Sequence, residues 1–370
     1  MRILQLSSAR HFGGGERHFV DLTKGLLRQG HEVFVVTTPA SPLLSELPEL
    51  PGGNVLQRPF RRPFDLASAW KLRLFAREHE IEIIHAHMAR DYPLAALAVG
   101  KWGPRLVLTR HVLFPMAKVH KLTRRRVARV IAVSEAVAAS LREQKIFDEA
   151  QIAVVRHGID LERFQSVVGR NEAKTLRVGM LGELSPVKGQ KEFVRAAGIV
   201  AGQRADVEFI IAGRDNSAEG EYRRELMQLI EAAGLTDRVS VIESKIDVAE
   251  FLSQLDVFVS ASRSEAFGLA IAEAMAAGVP VVATASDGAR EIITDSETGR
   301  LTPIGDVEGL ARQIAELLGD SAERKRLGDN ARLKAAEDFS LPRMIAETEA
   351  VYSQVLNTGS GPGLVCDLSE

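Results

Sequence analysis

The chain has 370 residues, 45% of them hydrophobic and 26% charged, which suits about two domains of roughly 150 residues and excludes a disordered chain. No apolar run approaches the roughly 20 residues that span a bilayer, and the start MRILQLSSARHFGGGE lacks the apolar stretch and small-residue cleavage site of a secretory signal. The single cysteine, Cys366, rules out an intramolecular disulfide and a cysteine-based metal site, so a cytoplasmic protein is expected. The net charge of −2 conceals an asymmetry: up to residue 165 there are 25 Lys and Arg against 16 Asp and Glu, and beyond it 22 against 33. That asymmetry suggests two units with different partners, the basic one facing something anionic or simply presenting a solvated surface.

In chain order, short β-branched runs alternate with longer amphipathic segments. Strands are expected at Arg2–Ser7, Glu32–Thr37, Ile81–His85, Leu106–Thr109, Val130–Val133 and Ile152–Val155. Helices are expected between them at Glu16–Gln29, Asp65–Glu80 and Glu135–Lys145. Such alternation specifies a doubly wound parallel sheet. The polar stretch Arg156–Thr175 reads as a linker. Strands then resume near LRVGMLG, Val207–Ala212, Val239–Glu243, Val257–Ser260 and Val281–Thr284, followed by helical patterns from Val307 to about Leu356. The tail from 357 to 370, rich in Gly and Ser, is expected to be disordered. The predicted fold is therefore α/β, two Rossmann-like domains over 1–165 and 170–340, with a helix near 340–356 packing back on the first and ligands bound in a central cleft.

The first strand runs into GGGERHF, Gly13–Phe19, and then a helix. Glycines allow close backbone approach to a ligand, and a helix N-terminus favours anions. A dinucleotide fingerprint does not fit: His18 occupies its last glycine position, and the second strand ends without an acid for a ribose. A plain tight turn stays open as the alternative.

The strongest signal is SEAFGLAIAEAMAAGVPVVAT, Ser264–Thr284. Glu273 sits inside an otherwise apolar helical run, and a buried carboxylate costs several kcal/mol unless it is paired or hydrogen-bonded. Glu265 stands eight residues earlier. Eight residues at about 100° each fall some 80° past two turns, so the two do not share a helix face. The better placement puts Glu265 in the loop before the helix and Glu273 in its second turn, with amides at Gly268 and Leu269 offered to a phosphate. The rival is a Glu273 paired with an arginine to hold two helices together.

Glu265-x7-Glu273 resembles the E-x7-E motif of retaining GT-B glycosyltransferases, and its surroundings resemble family 4 of that class. GGGERHFVDLTKGLLRQGHEVFVVT, VIAVSEAVAASL, VVRHGID, GELSPVKGQKEFVRAA and VATASDGAREII match further blocks of that family in order, over roughly residues 1–355. Ala261 and Ala266 replace a Pro and a Gly of its usual pattern. The resemblance implies a GT-B fold with an acceptor-binding first domain and a donor-binding second domain. It also implies hexosyltransferase-like transfer from a nucleotide-diphosphate sugar, of UDP or GDP type, to a saccharide or lipid-linked acceptor, in bacterial cell-envelope polysaccharide or lipopolysaccharide synthesis.

By the same resemblance Glu265 contacts the donor sugar, Glu273 the ribose, Phe267, Gly268 and Leu269 the diphosphate, and Gly14 and Gly15 approach the donor. Lys188 in SPVKGQ would neutralise the departing diphosphate, and His111 in VLTRHVLF would reach the donor sugar or reaction centre; Val112 stands where a companion Asp is common. The alternatives are a solvated Lys188 and a merely structural His111. Glu183 in GELSPVKG replaces the family's arginine and reverses the charge there; either it points away or Arg17, Arg110, Arg214 or Arg263 substitutes. His157 takes the place of an Asn before Gly158 and reads as a turn or hinge residue.

No D-x-D and no His/Cys cluster stands out along the sequence, so no metal and no cofactor beyond the donor are expected. The nucleotide base is expected near Ser244–Ile246. The basic stretch Lys118–Arg129 could hold an anionic membrane at the inner face of the cytoplasmic membrane, hold an anionic acceptor, or be a solvated helix; without interleaved aromatics, nucleic acid is not expected. A GT-B sugar-nucleotide epimerase and a nucleotide-sugar-binding protein without turnover are the rival readings.

Overall fold

The computed structural model describes residues 1–60, 64–100, 103–165, 175–242 and 247–357. The expected base-contacting loop Ser244–Ile246, part of the linker, and the tail from residue 358 lie outside the described residues. The chain divides into two compact units, Ile159–Ser340 forming one and Met1–Gly158 with the chain from Leu341 onward forming the other. Among the described residues no helix is long and apolar enough to cross a membrane.

In the first unit seven parallel strands are formed: β1 Arg2–Ser7, β2 Glu32–Thr37, β3 Val55–Gln57, β4 Ile83–Ala86, β5 Arg105–Arg110, β6 Val127–Ala132 and β7 Ile152–Val154. Their order is β3-β2-β1-β4-β5-β6-β7, so the direction of winding reverses between β1 and β4. Their inward residues (Ile3, Val33, Ile83, Val107 and Ile131) pack with Leu22 and Leu26 of the first helix, Gly14–Arg28. The helix Leu341–Asn357 completes that core with Met344, Ile345, Val351, Tyr352 and Val355. Gly25 is where this helix crosses the first one: a Cβ there would lie 2.1 Å from Ile345 Cδ1.

The second unit has six parallel strands: β8 Leu176–Leu181, β9 Val207–Ala212, β10 Val239–Ile242, β11 Val257–Ser260, β12 Val281–Thr284 and β13 Arg300–Thr302. The order β10-β9-β8-β11-β12-β13 is the Rossmann order, with its switch point between β8 and β11. The expected helical stretch from Val307 resolves into three helices, Val307–Gly319, Ser321–Asp338 and Leu341–Asn357. The first break comes at Asp320, whose carboxylate accepts from Glu323 N at 2.9 Å as the cap of the next helix.

A solvated helix is one of the three readings of the basic stretch Lys118–Arg129, and its helical part does not hold. Lys118–Arg129 is not a helix: two short 3₁₀ turns, Lys118–Leu122 and Arg124–Arg126, lead directly into β6. The run Val127–Ala132 is β-branched enough to enter the sheet beside β5 and β7, which draws Arg129 out of any helical face. Lys118, Lys121, Arg125 and Arg126 are exposed, with Leu122 (79% exposed) and Phe114 (68%) near them in the chain.

Candidate functional site

Helix starts separate two kinds of element. Helices such as Leu66–Glu78, Glu135–Gln144 and Val307–Gly319 open with Asp65, Ser134 and Asp306, whose side chains accept from Ser68 N at 3.1 Å, Val137 N at 3.1 Å and Gly309 N at 2.8 Å. Those following β1, β8 and β11 open instead with Gly13, Gly189 and Gly268, which have no side chain to cap them. A glycine cap leaves first-turn amides for another acceptor, and an anion is the natural one.

In the second unit the loops leaving β8 and β11 meet at the switch point. Lys188 Nζ lies 2.7 Å from Glu265 Oε1, so two residues 77 positions apart form one ion pair. The pair is partly withdrawn from solvent, with side chains 29% and 12% exposed, so Lys188 is paired rather than freely solvated. Ser262 Oγ donates to the same carboxylate oxygen at 2.7 Å. The pair is held by backbone: Arg263 N donates to Val187 O at 2.8 Å, and Gly288 N to Glu265 O at 3.1 Å. Gly189, at φ +73°, follows Lys188 so tightly that a Cβ would lie 2.0 Å from Ala261 O. Thr284 Oγ1 ties the loop from the far side, donating to Ser262 O at 2.5 Å.

The helix after that loop is Leu269–Ala276, with Gly268 as its cap at φ +98°. Glu273 is buried in it, 8% exposed, as the sequence pattern required. Phe267 is buried too, its ring edge-on to Phe339 at 5.5 Å, so its part in this loop is to anchor the backbone. Gly288 was missed by sequence reading; a Cβ there would come within 2.7 Å of Phe267 O and 2.8 Å of Glu265 O. Its signal was the SDG tripeptide opening the next helix.

The arginine question narrows. Glu183 is exposed, and its carboxylate accepts from Asn216 Nδ2 at 3.1 Å rather than pairing with Lys188. Arg263 is neutralised by Glu192, and each partner's pKa moves to favour the charged form. In the first unit, Arg17 lies over the Phe12 ring at 5.1 Å. Arg110 is buried, donates to Phe114 O, and has its pKa lowered by that burial. Arg214 follows β9, its carbonyl accepting from Leu184 N at 2.9 Å, on the loop beside Glu183.

The first unit carries its own cluster at the carboxyl ends of β1, β4 and β5. Gly14 is the first residue of the helix Gly14–Arg28. The Gly15 backbone lies against His111, a Cβ there falling 3.5 Å from the imidazole. Glu16 accepts from Gly13 N at 3.0 Å, closing the helix start, and burial raises its pKa. The His111 ring meets His18 at 4.9 Å, His157 at 5.4 Å and His87 at 5.8 Å between centroids, and His18 meets His157 at 4.8 Å. His157 is accordingly a buried member of this cluster, not simply a hinge residue. Nitrogen atoms of His18, His87 and His111 come within 4.8 Å of one another. No spacing along the chain announces this, because the three residues arrive on a helix, after β4 and after β5.

Burial lowers all of these imidazoles, His18, His87 and His111 well below the usual range, His157 to about 4 and His85 to about 3. Behind them runs a buried chain of hydrogen bonds. His87 Nε2 pairs with Gln5 Oε1 at 2.6 Å, Gln5 Nε2 donates to Tyr352 Oη at 3.3 Å, and Tyr352 Oη pairs with His85 Nδ1 at 2.6 Å. His85 Nε2 ends the chain on Thr109 Oγ1 at 2.6 Å.

Residues 12–163 match the family described as Glycosyltransferase Family 4, and residues 162–334 the one described as Glycosyl transferases group 1. D-inositol 3-phosphate glycosyltransferase of Paenarthrobacter aurescens is 32% identical over 321 residues, 78% of this chain and 76% of that protein. The chain is a family 4 glycosyltransferase. This glycosyltransferase is also 27% identical over 368 residues to N-acetyl-alpha-D-glucosaminyl L-malate synthase of Bacillus anthracis, covering 93% of this chain and 94% of that one. With lipopolysaccharide core biosynthesis mannosyltransferase LpsB of Rhizobium meliloti it shares 28% identity over 308 residues, 79% and 84% of the two chains. Its fold is the GT-B fold. Anabaena HepE, solved with UDP and glucose, matches with a TM-score of 0.83 at 24% identity, over 96% of this chain and all (100%) of that one.

Proposed function

We propose that this glycosyltransferase moves a sugar, with retention, from a nucleotide-diphosphate sugar of UDP or GDP type to a hydroxyl of a saccharide or lipid-linked acceptor. The observation that carries this reading is the Lys188–Glu265 pair at the switch point, beside the glycine-capped helix that bears Glu273. In it, Gly268 and Leu269 amides take the diphosphate, Glu273 the ribose and Glu265 the sugar hydroxyls. The anomeric C–O bond to the diphosphate breaks as the acceptor oxygen bonds on the same face, and a leaving phosphate oxygen takes the acceptor proton. Lys188 stabilises the charge that develops on the leaving group, the type of electrostatic help that makes the largest single contribution in many enzymes. Arg214 supplies the second cation in place of Glu183. Gly14, Gly15 and His111 remain the proposed ligand-contacting residues of the first unit.

The basic excess up to residue 165 suits an anionic acceptor, and two relatives are named for malate and inositol phosphate. Synthesis of bacterial cell-envelope polysaccharide or lipopolysaccharide is the setting we propose, supported by the lipopolysaccharide mannosyltransferase relative. The enzyme would work in the cytoplasm, with Lys118, Lys121, Arg125 and Arg126 touching anionic lipid at the inner membrane face. Flotation with anionic liposomes at low salt tests that contact, and failure to float removes it.

Transfer itself is tested by thermal-shift screening against UDP-, GDP-, ADP- and TDP-sugars, because a bound donor raises the melting temperature by linkage. Product mass and anomeric configuration follow with the donor so found, in excess EDTA. An inverted product, or strict dependence on added divalent metal, overturns the corresponding part. Arg214→Ala is expected to lower kcat by about tenfold or more, the scale of one charge-assisted contact, while Arg263→Ala leaves it nearly unchanged.

A further inference from the structure

We propose that His18, His87 and His111 form a binding site for a borderline divalent cation, Zn²⁺ being the type ion, within the first unit. Three observations combine. The nitrogens of the three residues lie within 4.8 Å of one another. Both ring nitrogens of His18, both of His111, and Nδ1 of His87 are buried without a hydrogen-bond partner, a costly arrangement for polar atoms unless something else satisfies them. Finally, the other nitrogen of His87 is already engaged at 2.6 Å by Gln5 Oε1. Metal-bound histidines are characteristically oriented this way, the outer N–H donated to an oxygen and the inner lone pair left for the ion.

Imidazole nitrogen suits Zn²⁺, Co²⁺, Ni²⁺ and Cu²⁺ and not the oxygen-seeking Mg²⁺ and Ca²⁺. In a tetrahedral site with bonds of about 2.0–2.1 Å, ligand nitrogens sit about 3.4 Å apart, so from separations within 4.8 Å the rings must close by up to about 1.4 Å, a rotation open to side chains that no other bond restrains at their inner nitrogens. Three protein ligands leave the fourth position open. Gln5 is held in turn by Tyr352, so the outer shell reaches the helix Leu341–Asn357. On the reading that His111 reaches the donor sugar, a bound cation and sugar transfer compete for one ring.

The test uses the full untagged chain, stripped with EDTA and titrated with Co²⁺. Visible d–d bands of a low-coordinate imidazole site should rise to one equivalent, persist in His11→Ala, an exposed histidine of the same unit, and vanish in His18→Asn and His87→Asn. X-ray absorption on the wild-type Zn²⁺ complex, which needs no variant to fold, should count three imidazoles. Absent bands, bands that survive both variants, or a zinc shell built of oxygen with fewer than two imidazoles would overturn the proposal. Neither readout involves glycosyl transfer, so the two readings fail independently.

Discussion

Lys188 Nζ and Glu265 Oε1 are 2.7 Å apart across 77 residues of chain. Each residue is the other's counter-ion, so on the proposed role a donor must share or displace that bond. Lys188→Ala is expected to lower kcat by about 10²-fold or more, in line with the loss of one preorganised electrostatic group. Glu265→Ala should do the same, and Lys188→Ala should also lower the melting temperature, because it leaves the 12% exposed Glu265 carboxylate without its counter-ion. Steady-state kinetics with the donor found by thermal shift reads both; retained kcat in either variant removes that residue from the chemistry.

Glu273 separates binding from chemistry. Its proposed partner is the ribose, so Glu273→Gln should weaken the free nucleoside diphosphate by about 10-fold or more, the scale of a hydrogen bond to a charged group. Calorimetric titration measures this directly, and unchanged affinity would reassign Glu273 to helix packing.

Gly189 is a backbone requirement. Its φ of +73° and the 2.0 Å approach of a Cβ to Ala261 O leave no room for a side chain. Gly189→Ala should cost about 1–3 kcal/mol in urea unfolding and lower kcat as well, since Lys188 precedes it.

The histidine cluster makes the first unit sensitive to acid. A histidine whose folded pKa lies below its unfolded value of about 6.5 favours the fold above that value and ceases to as pH falls through the folded pKa. For His157 the window runs from about 6.5 down to about 4, and for His85 down to about 3. Asp91, raised by burial to about 6, acts in the opposite sense, its contribution lost as pH rises from about 4 to 6. Two raised carboxyls, Asp91 and Glu16, set against five lowered imidazoles leave the histidines dominant. Melting curves of the EDTA-treated chain should therefore show net proton uptake on unfolding at pH 5.5; release or none would contradict the burial of these rings.

Much of this was legible before any coordinates. Buried β-branched runs such as Val257–Ser260 and Val281–Thr284 read correctly because both faces of a parallel strand are covered. The three-residue edge strands Val55–Gln57 and Arg300–Thr302 did not read, being too short and too polar to show a pattern. The helix Tyr92–Val99 was missed for the opposite reason: it is apolar on all sides and has no periodicity to detect. At the site, the E-x7-E segment declared Glu273 as a buried carboxylate, yet the pairing of Glu265 with Lys188 depends on β8 and β11 being neighbours, which no local spacing encodes. The histidine cluster depends in the same way on β1, β4 and β5 lying side by side.

The helix Leu341–Asn357 imposes an order on synthesis. Residues 159–340 form a contiguous unit that can close as soon as it leaves the ribosome, whereas the unit begun at Met1 waits for the helix that starts at Leu341. Until then Tyr352 is missing from its place against Gln5 and His85, and Ile345 from the groove at Gly25. A chain lacking the residues from Leu341 onward therefore leaves the apolar core of the unit begun at Met1 half-built.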